Sequence, residues 1–167
     1  MGLMAVYMGV SDATLALIAE SDDDDLIEQI EELSDTDEAF LCDIDKNWDM
    51  LHFVLTGASA VHPITDDPLS EAIVGVHVYN TESYVAATKS TKLPRIVEAL
   101  SKVNIDTRRD RYNLEQFRKH GIYPSISVST PAEEESLWQT LKTEFQNLVD
   151  FYQKTTYLGL NVIVSIY

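Results

Sequence analysis

The stretch Asp43–Gly57, DIDKNWDMLHFVLTG, carries a helix start, a Trp, a lone His and a helix-stopping Gly within a few turns. Spaced at the α-helical period, Trp48, Leu51, Val54 and Leu55 share one side. Asp49, His52 and Thr56 form an adjacent narrow polar stripe, edged by Trp48 and Phe53. The residue types predict Asp45 as N-cap and Gly57 as the stop. A helix this apolar is buried, so its polar stripe either finds partners inside the fold or lines a cleft.

Outward from this helix, the sequence predicts strands at 3–10, 76–79, 84–88, 125–129 and 160–166, from alternation and β-branched content. Ser11 is the expected N-cap of a short helix bearing Leu15 and Ile18. Asp22 to Asp25 open a second helix with Leu26, Ile27, Ile30 and Leu33 on its inner face, and the run Ser34 to Glu38 breaks it. Asp67-Pro68 reads as an N-cap with Pro at the first helical position, starting LSEAIV up to Gly75. Leu93, Ile96, Val97, Leu100 and Val103 trace another helical stripe. Asp106 to His120 reads as a basic helix interrupted at Asn113. Thr130-Pro131-Ala132-Glu133 is a capping box for a long helix carrying Leu137, Leu141, Phe145, Leu148 and Tyr152. These elements lack regular βαβ alternation, so the expected class is α+β. The expectation is a single domain over 1–167, with a small, mostly antiparallel or mixed sheet of about five short strands and six or seven helices.

The charge is lopsided. The chain has 167 residues and a formal charge of −16. Residues 1–82 hold nineteen acids and one base, Lys46, whereas residues 83–167 hold nine acids and eleven bases. Such a field repels nucleic acid and anionic membrane and attracts a basic protein partner. Solubility alone, or mutual neutralisation of the two halves, is the plainer account. In that account Arg108, Arg109 and Arg111 pair with the acidic half; in the other, Glu28, Glu31 and Asp22–Asp25 stay free as a docking face. The single Cys42 and an opening segment without Lys or Arg predict a cytoplasmic protein.

Motifs for chemistry are sparse. Asp43-x-Asp45 lacks the small residue a phosphatase loop wants after its second Asp, and Trp48 stands where a calcium loop needs Gly. There is no Gly-rich phosphate loop, no G-x-S-x-G and no metal-ligand spacing among His52, His62, His77 and His120. No metal and no cofactor is expected. Cys42 sits in the apolar run Ala39-Phe40-Leu41-Cys42 amid acids, which favours a core thiol over a nucleophile. His52 is either a satisfied core histidine, held by Asp49 or Thr56, or an acid/base group. In the second case Asp49 joins it as a catalytic candidate, with Trp48, Thr56, Tyr112 and Tyr123 as binding candidates.

The blocks DIDKNWDMLHFVLTG, DPLSEAIVG and RYNLEQFRKHGIYP, followed by a long Tyr-bearing helix and a last strand, resemble the YfbM-like family of small bacterial proteins of unknown function. The resemblance covers nearly the whole chain and falls on Trp48, Leu51, His52, Phe53, Leu55, Thr56 and Gly57, on Leu69 and Gly75, and on Tyr112, Ile122, Tyr123 and Pro124. It implies one α+β domain and brings no established activity, cofactor or catalytic residue to carry over. Gly75-Val76 stands where many relatives have paired glycines. Two function classes follow. The first is a non-enzymatic acidic protein-interaction module, of the kind that neutralises a basic toxin; the second is a small-molecule-binding domain or hydrolase around His52. Neither composition nor motif fixes an oligomeric state.

Overall fold

A central strand buried on both faces organises the molecule. The computed structural model describes residues 2–36, 40–128 and 130–167, and of Asp23 and Asp24 the main chain only. The elements run β1 (Ala5–Val10), α1 (Asp12–Glu20), α2 (Asp23–Ser34), β2 (Phe40–Asp43), α3 (Trp48–Thr56), α4 (Pro68–Val74), β3 (His77–Asn80), β4 (Tyr84–Thr88), α5 (Leu93–Ser101), α6 (Leu114–His120), α7 (Pro131–Tyr157) and β5 (Asn161–Ile166), with 3-10 turns at Asp45–Asn47, Ser90–Lys92 and Ile105–Arg111. The strands form one antiparallel sheet in the order β2-β1-β5-β4-β3. Every residue of β5 is buried, as a strand covered on both faces requires.

Period-2 alternation splits the sheet between two cores. Ala5, Tyr7, Ala86, Val162, Val164 and Ile166 face the larger core, built with α3, α4, α5 and α7. Met8, Val10, Val85, Ala87 and Ile163 face the other side, where Leu15 and Ile18 of α1 and Leu26 and Ile30 of α2 cover them. The result is three layers, helices on both faces of an antiparallel sheet, within the α+β class.

Local chemistry explains most element ends. Ser11, Asp22 and Asp67 cap α1, α2 and α4 by accepting main-chain N–H groups. Asn113 caps α6, and Thr130 and Glu133 form the reciprocal capping box of α7. Gly57 ends α3 in the left-handed region, at φ 83°.

Three expectations are corrected. Asp45 is not the cap of α3: it lies at φ 49° and opens a 3-10 turn, its N–H donating to Asp43 Oδ1 at 2.7 Å. That turn displaces the α-helical start to Trp48, with Asn47 in the cap position and no side-chain cap bond. Residues 125–128 form no strand, and Ser129 lies outside the described residues. Ile126 packs on the main core without a ladder partner, so alternation there reports half-burial alone. The fifth strand is instead β2; of the apolar run leading to Cys42, Ala39 lies outside the described residues. The end of the predicted break at Glu38 lies outside them as well.

At the start of α3, Asn47 Nδ2 donates to Glu144 Oε1 of α7 at 2.9 Å, while Glu144 Oε2 is buried without a partner among the described residues. Burial, against the Asn47 bond and with help from Asp45 and Asp43, pushes the Glu144 carboxyl from 4.5 up to about 7. The unfolded chain therefore ionises first, and stability falls as pH rises from the ordinary carboxyl value to about 7, then levels off. Glu144 is partly exposed, so solvent screening reduces the effect to about 1 kcal/mol. Glu144→Gln should raise the urea midpoint at pH 8 and leave it nearly unchanged at pH 4; an equal shift at both pH values would refute this account.

Candidate functional site

The polar stripe of α3 exists as the helical period dictates, and the whole of Trp48–Leu55 is buried. Asp49 is 1% exposed, and its carboxylate accepts from Ser59 Oγ at 2.9 Å, from the Ala60 N–H at 2.7 Å and from the Tyr123 N–H at 2.8 Å. One side chain thus fixes the loop after α3 and the segment after α6.

His52 has no exposed surface. Its Nδ1 lies 2.7 Å from the Ala58 carbonyl, which can only accept, so Nδ1 carries the proton. Nε2 then accepts from Ser70 Oγ at 2.7 Å, and the same Ser70 oxygen accepts the Ile64 N–H at 3.0 Å. Thr56 Oγ1 donates to the His52 carbonyl at 2.8 Å and accepts the Ala58 N–H at 3.1 Å. Burial lowers the His52 pKa, opposed by the Ala58 hydrogen bond and by the charges of Asp49 and Asp67, so the ring stays neutral at neutral pH.

Trp48 stacks on Tyr123 with ring centroids 5.5 Å apart, and its Nε1 donates to the Leu3 carbonyl at 3.1 Å. The Tyr123 hydroxyl accepts the Leu3 N–H at 2.7 Å. Trp48, Asp49, His52, Thr56 and Tyr123 are therefore brought together around α3. Tyr112 belongs to a different cluster, against Phe117 and Trp138, with the Arg109 guanidinium over its ring and that of Trp138. Its hydroxyl is buried without a partner among the described residues, and burial first, then Glu134, pushes its pKa up to about 12. Sequence spacing did not reveal Ser59 or Ser70. The one hint for Ser70 is a hydroxyl among Ala72, Ile73 and Val74 of α4, all of them buried.

The Ser70–His52 contact has the geometry of a nucleophile and its base, but the setting opposes that role. Ser70 has no exposed surface, and its oxygen already accepts a main-chain N–H. A carbonyl, in place of a carboxylate, orients the imidazole. The adjoining cleft, lined among others by Ile64, Asp66, Glu71, Val78 and Lys92, is about 200 Å³, smaller than typical ligand pockets of about 300–1,000 Å³. Beside it Glu71 is paired with Arg95.

The other candidate is the surface of α2, where Asp22, Asp25, Glu28, Glu31, Glu32 and Asp35 are exposed. The side chains of Asp23 and Asp24 lie outside the described residues. Among those described, the ion pairs are Arg95–Glu71, Lys102–Glu98, Arg109–Glu135 and Lys142–Asp106, and none touches α2. Among the described residues, the expected pairing of Arg108, Arg109 and Arg111 with this face is not seen. Arg108 and Arg111 donate to the Leu55 carbonyl, and Arg111 also to that of Val54, so they satisfy the orphan C-terminal carbonyls of α3. Among the described residues no group of three or more His, Cys, Asp or Glu is placed to hold a metal, and no helix is long and apolar enough to cross a membrane.

Fold and site define a three-layer α+β protein whose buried polar stripe is consumed in tying loops to a central helix. The chain belongs to the family described as Domain of unknown function (DUF1877), matched over residues 1–165. It is 30% identical over 128 residues to Protein YfbM of Escherichia coli (strain K12), covering 74% of this chain and 76% of that protein. The crystal structure of YfbM from Escherichia coli, described as a protein of unknown function, matches with a TM-score of 0.83 at 24% identity, over 98% of this chain and 99% of that one, and shares its fold.

Proposed function

We propose that this protein is a cytoplasmic, non-enzymatic acidic interaction module that captures a basic protein partner, as a toxin-neutralising protein would. The observation that supports it is the row of exposed carboxylates on α2 with no Lys or Arg of the described residues paired to them. Such a face acts chiefly on association rate, and its reach shrinks from about 10 Å at 0.1 M salt to about 3 Å at 1 M. Affinity capture from a cytosolic extract should therefore retain basic proteins at low salt and release them at high salt. Glu28→Lys with Glu31→Lys should slow association with the captured partner by about tenfold and shift fold stability by about 0.5 kcal/mol or less. Capture indifferent to salt and to both reversals would refute the proposal.

One observation favours the second reading, a small-molecule-binding domain or hydrolase around His52: the 2.7 Å Nε2–Oγ contact beside a cleft that reaches Ser70. A fluorophosphonate probe separates the two. Ser70-dependent labelling would establish the hydrolase; an unlabelled protein is the result expected of a Ser70 locked into the fold.

A further inference from the structure

We infer that the outer edge of β2 takes up an extended, lysine- or arginine-bearing segment of the partner protein as an added strand. This rests on the acidic-interaction reading and says where and in what conformation the partner binds.

Hydrogen-bond parity along β2 leaves two residues facing away from the sheet. The Ile44 N–H donates to the Ala5 carbonyl at 3.2 Å, and the register runs Val6↔Asp43, Tyr7↔Cys42, Met8↔Leu41, Gly9↔Phe40. In an antiparallel pair the bonded positions alternate, so Ile44, Cys42 and Phe40 bond to β1. Leu41 and Asp43 therefore turn their N–H and C=O groups away from the sheet. Among the described residues no main-chain group meets them. The opposite edge, β3, is different: its register shifts between Val78 and Asn80, and such a bulge blunts an edge against pairing.

Side chains beside the open edge set the chemistry of the occupant. Toward α7 a groove of about 340 Å³ is lined by Phe40, Cys42, Asp43, Asn147, Asp150 and Lys154, among others. Phe40 stacks on Phe151 at 5.1 Å to form its apolar floor, and the Lys154 ammonium lies 4.2 Å from the Phe40 centroid. Among the described residues, Lys154 is the one base lining the groove. Asp43, Glu144 and Asp150 lie close enough to Cys42 to add, after burial, to a thiol pKa pushed up to about 12. On the α2 side, Glu31, Asp43 and Asp35 act in the same way on Tyr167. Leu41, Met4 and Tyr167 add exposed apolar surface, which the aliphatic stems of lysines can cover.

An added strand sends alternate side chains to the two sheet faces. On either face a cation would meet carboxylates, and main-chain bonds to Leu41 and Asp43 would supply affinity without sequence demands. A second copy of this chain fits poorly. Edge-to-edge pairing would bring Asp43, Glu31 and Asp35 of both copies together in a chain already at −16.

Two basic peptides of equal length and charge test the proposal: one alternating lysine with valine, which can extend as a strand, and one built of Lys-Pro-Pro-Lys repeats, whose prolines fall at both parities and so interrupt the ladder on either edge. The lysine–valine peptide should bind about tenfold more tightly and slow amide exchange at Leu41 and Asp43. Leu41→Pro removes an outward N–H and no ladder bond, so the fold should survive and the two peptides should bind equally. Asp43→Lys, which leaves the ladder intact, should weaken both. Equal binding of both peptides to the unsubstituted protein, with shifts confined to α2, would overturn the edge and leave the acidic module standing. Binding of neither at low salt would overturn both. Protein that dimerises through Leu41 without any peptide would assign the edge to a second copy and overturn this inference.

Discussion

Asp49→Ala is expected to lower the unfolding free energy by about 3–5 kcal/mol, because it strips an acceptor from three donors at once, two of them buried and the third half-buried. The Ser59 hydroxyl and the N–H groups of Ala60 and Tyr123 all converge on this carboxylate. Each orphaned donor costs about 1–3 kcal/mol if no water replaces the lost oxygen. Asp49→Asn is no remedy, since an amide places a further donor where donors already point. Urea unfolding measures the loss, and faster amide exchange at Ala60 and Tyr123 locates it. The same variant distinguishes the two readings of the polar stripe. A catalytic Asp49 predicts a stable protein that has lost an activity; a structural one predicts a destabilised protein. A variant as stable as the parent would remove the structural account.

How much of this was legible in the sequence depends on whether the deciding interaction is local. The capping box at Thr130 and Glu133 and the Asp67-Pro68 start are closed within a turn, and both stand as their residues predict. The stripe of Asp49, His52 and Thr56 follows from helical geometry alone. Its partners do not: Ser70 lies on another helix, and Tyr123 offers a main-chain N–H that no side-chain pattern encodes. Strand β2 is four residues long and exists because β1 pairs with it, whereas residues 125–128 alternate as a strand should and find no edge to join. Charge composition raised the question of neutralisation but could not place the arginines. Arg108 and Arg111 answer instead to the free carbonyls of α3, a demand set by tertiary position. Tyr112 lies in the block RYNLEQFRKHGIYP, and nothing in that block sets its distance from His52.

Trp48→Ala should cost about as much as the loss of Asp49, about 3–5 kcal/mol, by a different route. The indole is 6% exposed, so truncation leaves a cavity that a rigid helix start cannot collapse around. It also frees the Leu3 carbonyl and strips Tyr123 of its stacking partner. Tyr123 in turn accepts the Leu3 N–H, so the chain before β1 loses one attachment to this region and the ring that holds the other loses its stacking support. Trp48→Phe divides the effect. It retains a ring against Tyr123, loses only the Nε1 donor and part of the volume, and should cost about 1–2 kcal/mol. The two variants thus separate packing from the hydrogen bond: a Phe variant as damaged as the Ala variant would mean that the Leu3 bond carries the energy. A urea midpoint unmoved by Trp48→Ala would mean that this indole does not anchor the helix, and the architecture built outward from Asp43–Gly57 would fail with it.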